Sequence, residues 1–177
     1  MSSLVLELQQ DALDSSVSVS DLLRKAFVVA KKLAIQEFYD WIDLELNGYT
    51  DVNKIPPYRI ITGKIVSWNP YYGWIPVRNN PQIDEMLSQR AITQSIGEID
   101  KLINNGSSFE VPFDKEIELL IMRGSNIQLK PTLKIDITQL HKILEGVRNI
   151  VLKWSLRLES DGILGRGLSF SKKEKQI

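Results

Sequence analysis

Residues 22–59 read LLRKAFVVAKKLAIQEFYDWIDLELNGYTDVNKIPPYR, and the fold turns on how this stretch is read. At 100° per residue, Leu23, Ala26, Ala30, Leu33, Ala34, Glu37, Trp41 and Leu44 fall on one side of a helix. Neither glycine nor proline interrupts the pattern before Asn47-Gly48. One long helix over about 20–47 is therefore expected, with Ser20 as its N-cap and Gly48 as the left-handed residue that closes it. Pro56 and Pro57 block further helix, and Tyr58-Arg59 leads out in an extended form.

Glu37 stands at the centre of that stripe. A buried acid is costly without a partner. The expected arrangement is a structural lock in which Glu37 pairs with Arg148, the leading candidate, or with Arg59. The alternatives are a general acid or base with a raised pKa, and a rotated helix that turns Glu37 to solvent. Charge order along the same helix is also unusual. Arg24, Lys25, Lys31 and Lys32 precede Glu37, Asp40, Asp43 and Glu45, opposite to the preference of a helix dipole. Such a helix is expected to face a partner. If the chain is an enzyme, Glu37, Asp40, Asp43 and Glu45 are its candidate catalytic carboxylates, but their spacing splays Asp40 and Asp43 away from Glu37. No metal site and no cofactor are expected.

A second strong helix is expected over about 137–160. Asp136 and Gln139 have capping-box spacing, and Leu140, Ile143, Leu144, Val147, Ile150, Val151, Trp154 and Leu158 keep a 3.6-residue period. Asp161-Gly162 closes it. A shorter helix is expected within 4–14. Residues 58–77 are rich in β-branched and aromatic side chains around a turn at Asn69-Pro70 and Gly73, which reads as a β-hairpin. Residues 82–104 carry a helical pattern broken near 90–93. Residues 109–113 and 127–135 read as extended, and 115–123 as a short helix or strand. The expected class is α+β: two long packed helices, a small antiparallel sheet from 58–77 and 127–135, and shorter helices.

Composition narrows the function. The chain has 177 residues, 43% hydrophobic and 25% charged, enough for one well-buried core. With 22 basic and 22 acidic residues the net charge is zero, so bulk electrostatics give no reason to expect nucleic acid. Cysteine is absent and histidine occurs once, at His141, which excludes thiolate chemistry and a multi-histidine zinc site. No apolar run is long enough to span a bilayer, and the N-terminus has no secretory-signal pattern. A cytoplasmic protein is expected.

The hairpin places Trp68, Tyr71, Tyr72 and Trp74 within seven residues. They are expected to cap the core with a single tyrosine exposed. If they are instead exposed, a protein interface fits better than nucleic acid, because only Lys64 and Arg78 lie near them. Residues 162–170, GILGRGLSF, lack the preceding strand and the GK[ST] ending of a phosphate loop, and read as a helix cap and tight turn. Ser171 and Glu174 have capping-box spacing, so a new helix is expected to begin there, as in the N-terminal part of a longer protein.

Four segments, LLRKA (22–26), EFYDWIDLELNGY (37–49), PPYR (56–59) and VRNIVLKWSLRLESDGILGRGLSFS (147–171), together resemble the AbiTii family. This is a bacterial domain associated with abortive infection and phage defence. The resemblance runs from about Ser20 to Glu174 and is most distinctive in Glu45–Tyr49 and in Trp154, Leu158, Glu159, Gly162, Ile163 and Gly165. Arg166 departs from it, standing where an acid is more usual. The resemblance implies a single domain over 1–177 and a defence setting, with no catalytic residues to carry over. The favoured expectation is a non-enzymatic interaction, oligomerisation or regulatory module that works with a protein partner or a second copy, through Asp40, Asp43 and the hairpin aromatics. The alternatives are a metal-dependent nuclease or nucleotide-processing effector and a nucleic-acid sensor.

Overall fold

A computed structural model describes residues 2–176. In chain order its elements are α1 (Leu4–Leu13), α2 (Val19–Lys32), α3 (Gln36–Asn47), β1 (Ile60–Thr62), β2 (Lys64–Asn69), β3 (Gly73–Pro76), α4 (Pro81–Leu87), β4 (Gln89–Ala91), α5 (Ile96–Ile103), β5 (Ser108–Pro112), α6 (Lys115–Ser125), β6 (Pro131–Asp136) and α7 (Ile137–Ser160). Short 3-10 turns lie at Val52–Lys54, Pro57–Arg59 and Glu174–Gln176. The class is α+β, as expected. Among the described residues no helix is long and apolar enough to cross a membrane.

The chain divides into two compact units. The first comprises 1–54, 93–100 and 142–177; the second comprises 55–92 and 101–141. The first unit is helical. Leu4, Val5 and Leu8 of α1, Leu22, Leu23, Ala26, Val29 and Ala30 of α2, and Ile143, Val147 and Val151 of α7 are all buried. Helix α2 packs against α1 and α3. Helix α7 is tied to α1 through Gln9, whose amide donates to Glu159 Oε2 at 2.7 Å, and to α3 through the stacked rings of Phe38 and Trp154.

The long helix expected over 20–47 is two helices. Ser18, not Ser20, caps α2, its hydroxyl accepting from the Asp21 amide. The helix ends in a Schellman turn at Leu33–Ile35. The Ala34 N–H donates to Lys31 O at 3.2 Å and the Ile35 N–H to Ala30 O at 3.0 Å. Ala34 supplies the left-handed residue, with φ of 56°. Glycine takes this position most often, so the sequence pattern conceals the break. The predicted stripe holds through Leu33 and then changes phase: Ala34 and Glu37 are exposed, whereas α3 buries Ile42 and Glu45.

The break also accounts for part of the reversed charge order. Helix α2 has Asp21 in its first turn and Lys31 and Lys32 in its last, and α3 has Glu37 in its first turn. These charges stand where the helix dipoles favour them, whereas Asp43 and Glu45, towards the C-terminal end of α3, do not. Gly48, with φ of 96°, ends α3 as expected. At the far end of α7, Gly162 repeats the Schellman geometry with a glycine: its N–H donates to Glu159 O and that of Ile163 to Leu158 O.

The second unit holds the strands. Sheet order is β3-β2-β6-β5, antiparallel throughout, and β1 pairs separately with β4. In β6, Pro131, Leu133 and Ile135 alternate into the core, and Ile65 of β2 sits opposite Leu133. Helix α7 starts as expected, though only half of the predicted capping box forms. Asp136 Oδ1 accepts from the Thr138 amide at 2.8 Å, which holds the Asp136 carboxyl below its ordinary range. Gln139 instead accepts from the Thr62 amide at 3.5 Å.

Candidate functional site

The β2–β3 hairpin is built from the turn upward. Asn69 Oδ1 accepts from the amides of Tyr71 at 2.8 Å and Tyr72 at 3.3 Å, closing an Asx turn in which Pro70 presets the backbone. Register then sets Trp68 directly across from Trp74, their rings edge to face at 5.3 Å. The expectation of a core cap with one exposed tyrosine fails. Exposure is 55% for Trp68, 90% for Tyr71, 84% for Tyr72 and 37% for Trp74. Both tyrosines lie in the turn, outside the alternation that would aim them at a core. The Lys134 ammonium of β6, the strand on the other side of β2, stands 5.0 Å from the Trp74 ring centroid.

Glu37 is not the buried acid that the unbroken helix predicted. It is exposed and makes no hydrogen bond or ion pair among the described residues. Asp40 and Asp43 are exposed as well, Asp40 accepting from Gln36 at 2.7 Å and Asp43 from Asn47 at 2.9 Å. The fully buried acid is Glu45, two turns further along α3, and its Oε1 accepts from the Tyr49 hydroxyl at 2.7 Å. The four carboxylates therefore do not share a face. Among the described residues no three histidines, aspartates or glutamates converge as metal ligands.

The two arginines named as partners for Glu37 hold backbone instead. Arg148 of α7 donates from Nη1 to Asp11 O and Asp14 O, both at 3.1 Å, and from Nη2 to Val17 O at 2.6 Å. These carbonyls belong to the last turn of α1 and the segment leading into α2, where the helix dipole favours a cation. Arg59 is fully buried and donates to Ile92 O at 2.8 Å. Neither pattern is readable from sequence, because a backbone acceptor carries no residue identity.

The glycine-containing loop after α7 is held closed by Glu174. Its Oε1 accepts from the amides of Gly165 at 2.8 Å and Leu164 at 3.1 Å, and its Oε2 from the Ser171 amide at 2.7 Å. The Ser171 hydroxyl accepts in turn from the Glu174 amide at 3.2 Å, completing the predicted capping box around one 3-10 turn. These amide donors, chiefly those of Gly165 and Ser171, stabilise the ionised carboxylate and lower its pKa from 4.5 to about 2. A depressed folded-state pKa stabilises the loop above the ordinary value, and that contribution is lost as pH falls through the folded one. Hydrogen exchange at the Leu164 and Gly165 amides is expected to accelerate between pH 4.5 and about 2, after correction for intrinsic rates. Glu174→Gln should abolish that pH dependence; an unchanged profile in the variant would contradict the clamp.

A third feature was missed in sequence. Phe38 of α3 stacks on Trp154 of α7, with centroids 3.8 Å apart and planes inclined by 17°, and lies 5.0 Å from Trp41. These rings, with Ile35 and Ile150, line an open cleft of about 570 Å³ edged by Glu37, Lys153 and Arg157. The available signal was the basic pair Lys153 and Arg157 flanking Trp154 at helical spacing.

The fold is thus an α+β chain with a helical unit, a sheet unit and an exposed aromatic hairpin tip. The AbiTii family model matches residues 3–177, and the chain belongs to the AbiTii family. That membership associates it with abortive infection and phage defence. No curated protein and no solved structure matches the chain.

Proposed function

We propose that the chain is a non-enzymatic interaction or regulatory module of a bacterial anti-phage system, acting in the cytoplasm. In this reading its hairpin tip docks on a protein partner or a second copy of the chain. The observation that carries the reading is the exposure of Trp68, Tyr71, Tyr72 and Trp74 together at one hairpin tip. Tyrosine and tryptophan combine large apolar area with a polar edge and few rotatable bonds, and they dominate the energetics of protein interfaces. Trp68 and Trp74 pair across the strands, but Tyr71 and Tyr72 in the turn make no ring contact that would serve folding among the described residues. The exposed Asp40 and Asp43 of α3 offer a second, acidic contact. A metal-dependent effector would draw on gathered carboxylates, whereas α3 buries Glu45 and leaves Glu37, Asp40 and Asp43 in solvent.

The test replaces Tyr71 and Tyr72 together by serine. Both side chains are almost fully exposed, so the unfolding temperature should stay within about 2 °C of the wild type. Phage plating on cells that carry the intact defence locus is expected to rise at least tenfold with the double variant. Light scattering of the purified chain then separates self-association from a foreign partner. Full protection by a normally folded Tyr71→Ser/Tyr72→Ser variant would overturn the reading.

A further inference from the structure

The cleft between α3 and α7 has its own chemistry, independent of the hairpin. Its floor is aromatic and aliphatic: Phe38, Trp41 and Trp154, with Ile35 and Ile150. Its α7 edge carries Lys153 and Arg157, four residues apart and so on the same helix face, and its α3 edge carries Glu37. All three charged side chains are exposed, and none makes a hydrogen bond or ion pair among the described residues. The volume of about 570 Å³ is that of a small-molecule site.

The lining selects among ligand classes. A purely apolar ligand would make no use of two unspent cations, and a simple inorganic anion would make no use of three aromatic rings. A ligand with a planar ring at one end and an anionic group at the other satisfies both. We propose that this cleft binds a free nucleoside phosphate. The base extends the Phe38–Trp154 stack, and the phosphate lies against the Lys153 ammonium and the Arg157 guanidinium. Glu37 places a carboxylate on the opposite edge. It favours bases that carry an exocyclic amino group over uracil, whose ring N3–H is flanked on both sides by carbonyl oxygens that a carboxylate repels.

Calorimetric titration of the intact chain with GMP, AMP, UMP, guanosine and inorganic phosphate tests the assignment. Saturable binding of GMP or AMP is expected, with guanosine and inorganic phosphate each at least tenfold weaker and UMP weaker than both purine nucleotides. Lys153→Glu/Arg157→Glu should reduce GMP and AMP affinity at least tenfold. Both positions are solvent-exposed, so the unfolding temperature checks that the fold is retained. Glu37→Gln should narrow the gap between GMP and UMP without abolishing GMP binding. The proposal is overturned by any of three results: no mononucleotide binding at millimolar concentration, equal affinity for GMP and guanosine, or unchanged GMP and AMP binding in a folded charge-reversed variant. Binding of a single-stranded oligonucleotide without any mononucleotide binding would also overturn it.

Discussion

Glu45→Ala is expected to destabilise the protein by about 3–4 kcal/mol, the larger of the two stability effects foreseen. Glu45 is fully buried in α3, and its Oε1 accepts from the Tyr49 hydroxyl at 2.7 Å. Truncation removes four heavy atoms from a packed site and takes an acceptor from a buried phenol. Each loss is costly where solvent cannot refill the space. In a chain of 177 residues that corresponds to a fall of roughly 6–16 °C in unfolding temperature. Tyr49→Phe tests the pairing itself. The double variant should cost about 1 kcal/mol less than the sum of the singles, since both remove the same hydrogen bond. Strict additivity would show that the Glu45–Tyr49 contact contributes nothing of its own. The same truncation at Glu37, which is exposed, should stay within about 0.5 kcal/mol.

Arg148→Ala is expected to cost about 3 kcal/mol, or roughly 6–12 °C. The guanidinium reaches the carbonyls of Asp11, Asp14 and Val17 from two nitrogens and thereby fixes the exit of α1 and the entry to α2. Hydrogen bonds from a charged donor are worth more than neutral ones, and the planar fork serves several acceptors at once. Arg148→Lys keeps the charge but not the fork, and should recover less than half of the loss. Measured by urea unfolding, full recovery in the lysine variant would mean that charge alone matters, and no loss in the alanine variant would remove the lock.

The long C-terminal helix was legible to its ends, over 137–160 as expected and Ile137–Ser160 as found. Eight apolar positions in register, an aspartate before the first turn and a glycine after the last leave little for tertiary context to change. The helix from 20 to 47 was legible as helix but not as two. Its break rests on Ala34 in a left-handed conformation, where alanine carries no signal that glycine would have given. That one residue moved Glu37 to solvent, at the start of a new helix, and brought Glu45 into the core. The aromatic hairpin was legible as residues and as a turn. Its exposure was not, because Tyr71 and Tyr72 lie in the turn, where strand alternation does not apply.

By itself, then, the sequence determined the α+β class, the C-terminal helix, the hairpin, the Ser171–Glu174 cap and membership of the AbiTii family. All of these depend on local periodicity, on capping and turn chemistry, or on quoted blocks of residues. Tertiary structure alone decided which acid is buried, which carbonyls Arg148 and Arg59 hold, and which aromatics face solvent or line the cleft between α3 and α7. Each of these depends on the direction a helix takes after a single backbone residue, or on acceptors that belong to the peptide bond. Side-chain periodicity encodes neither.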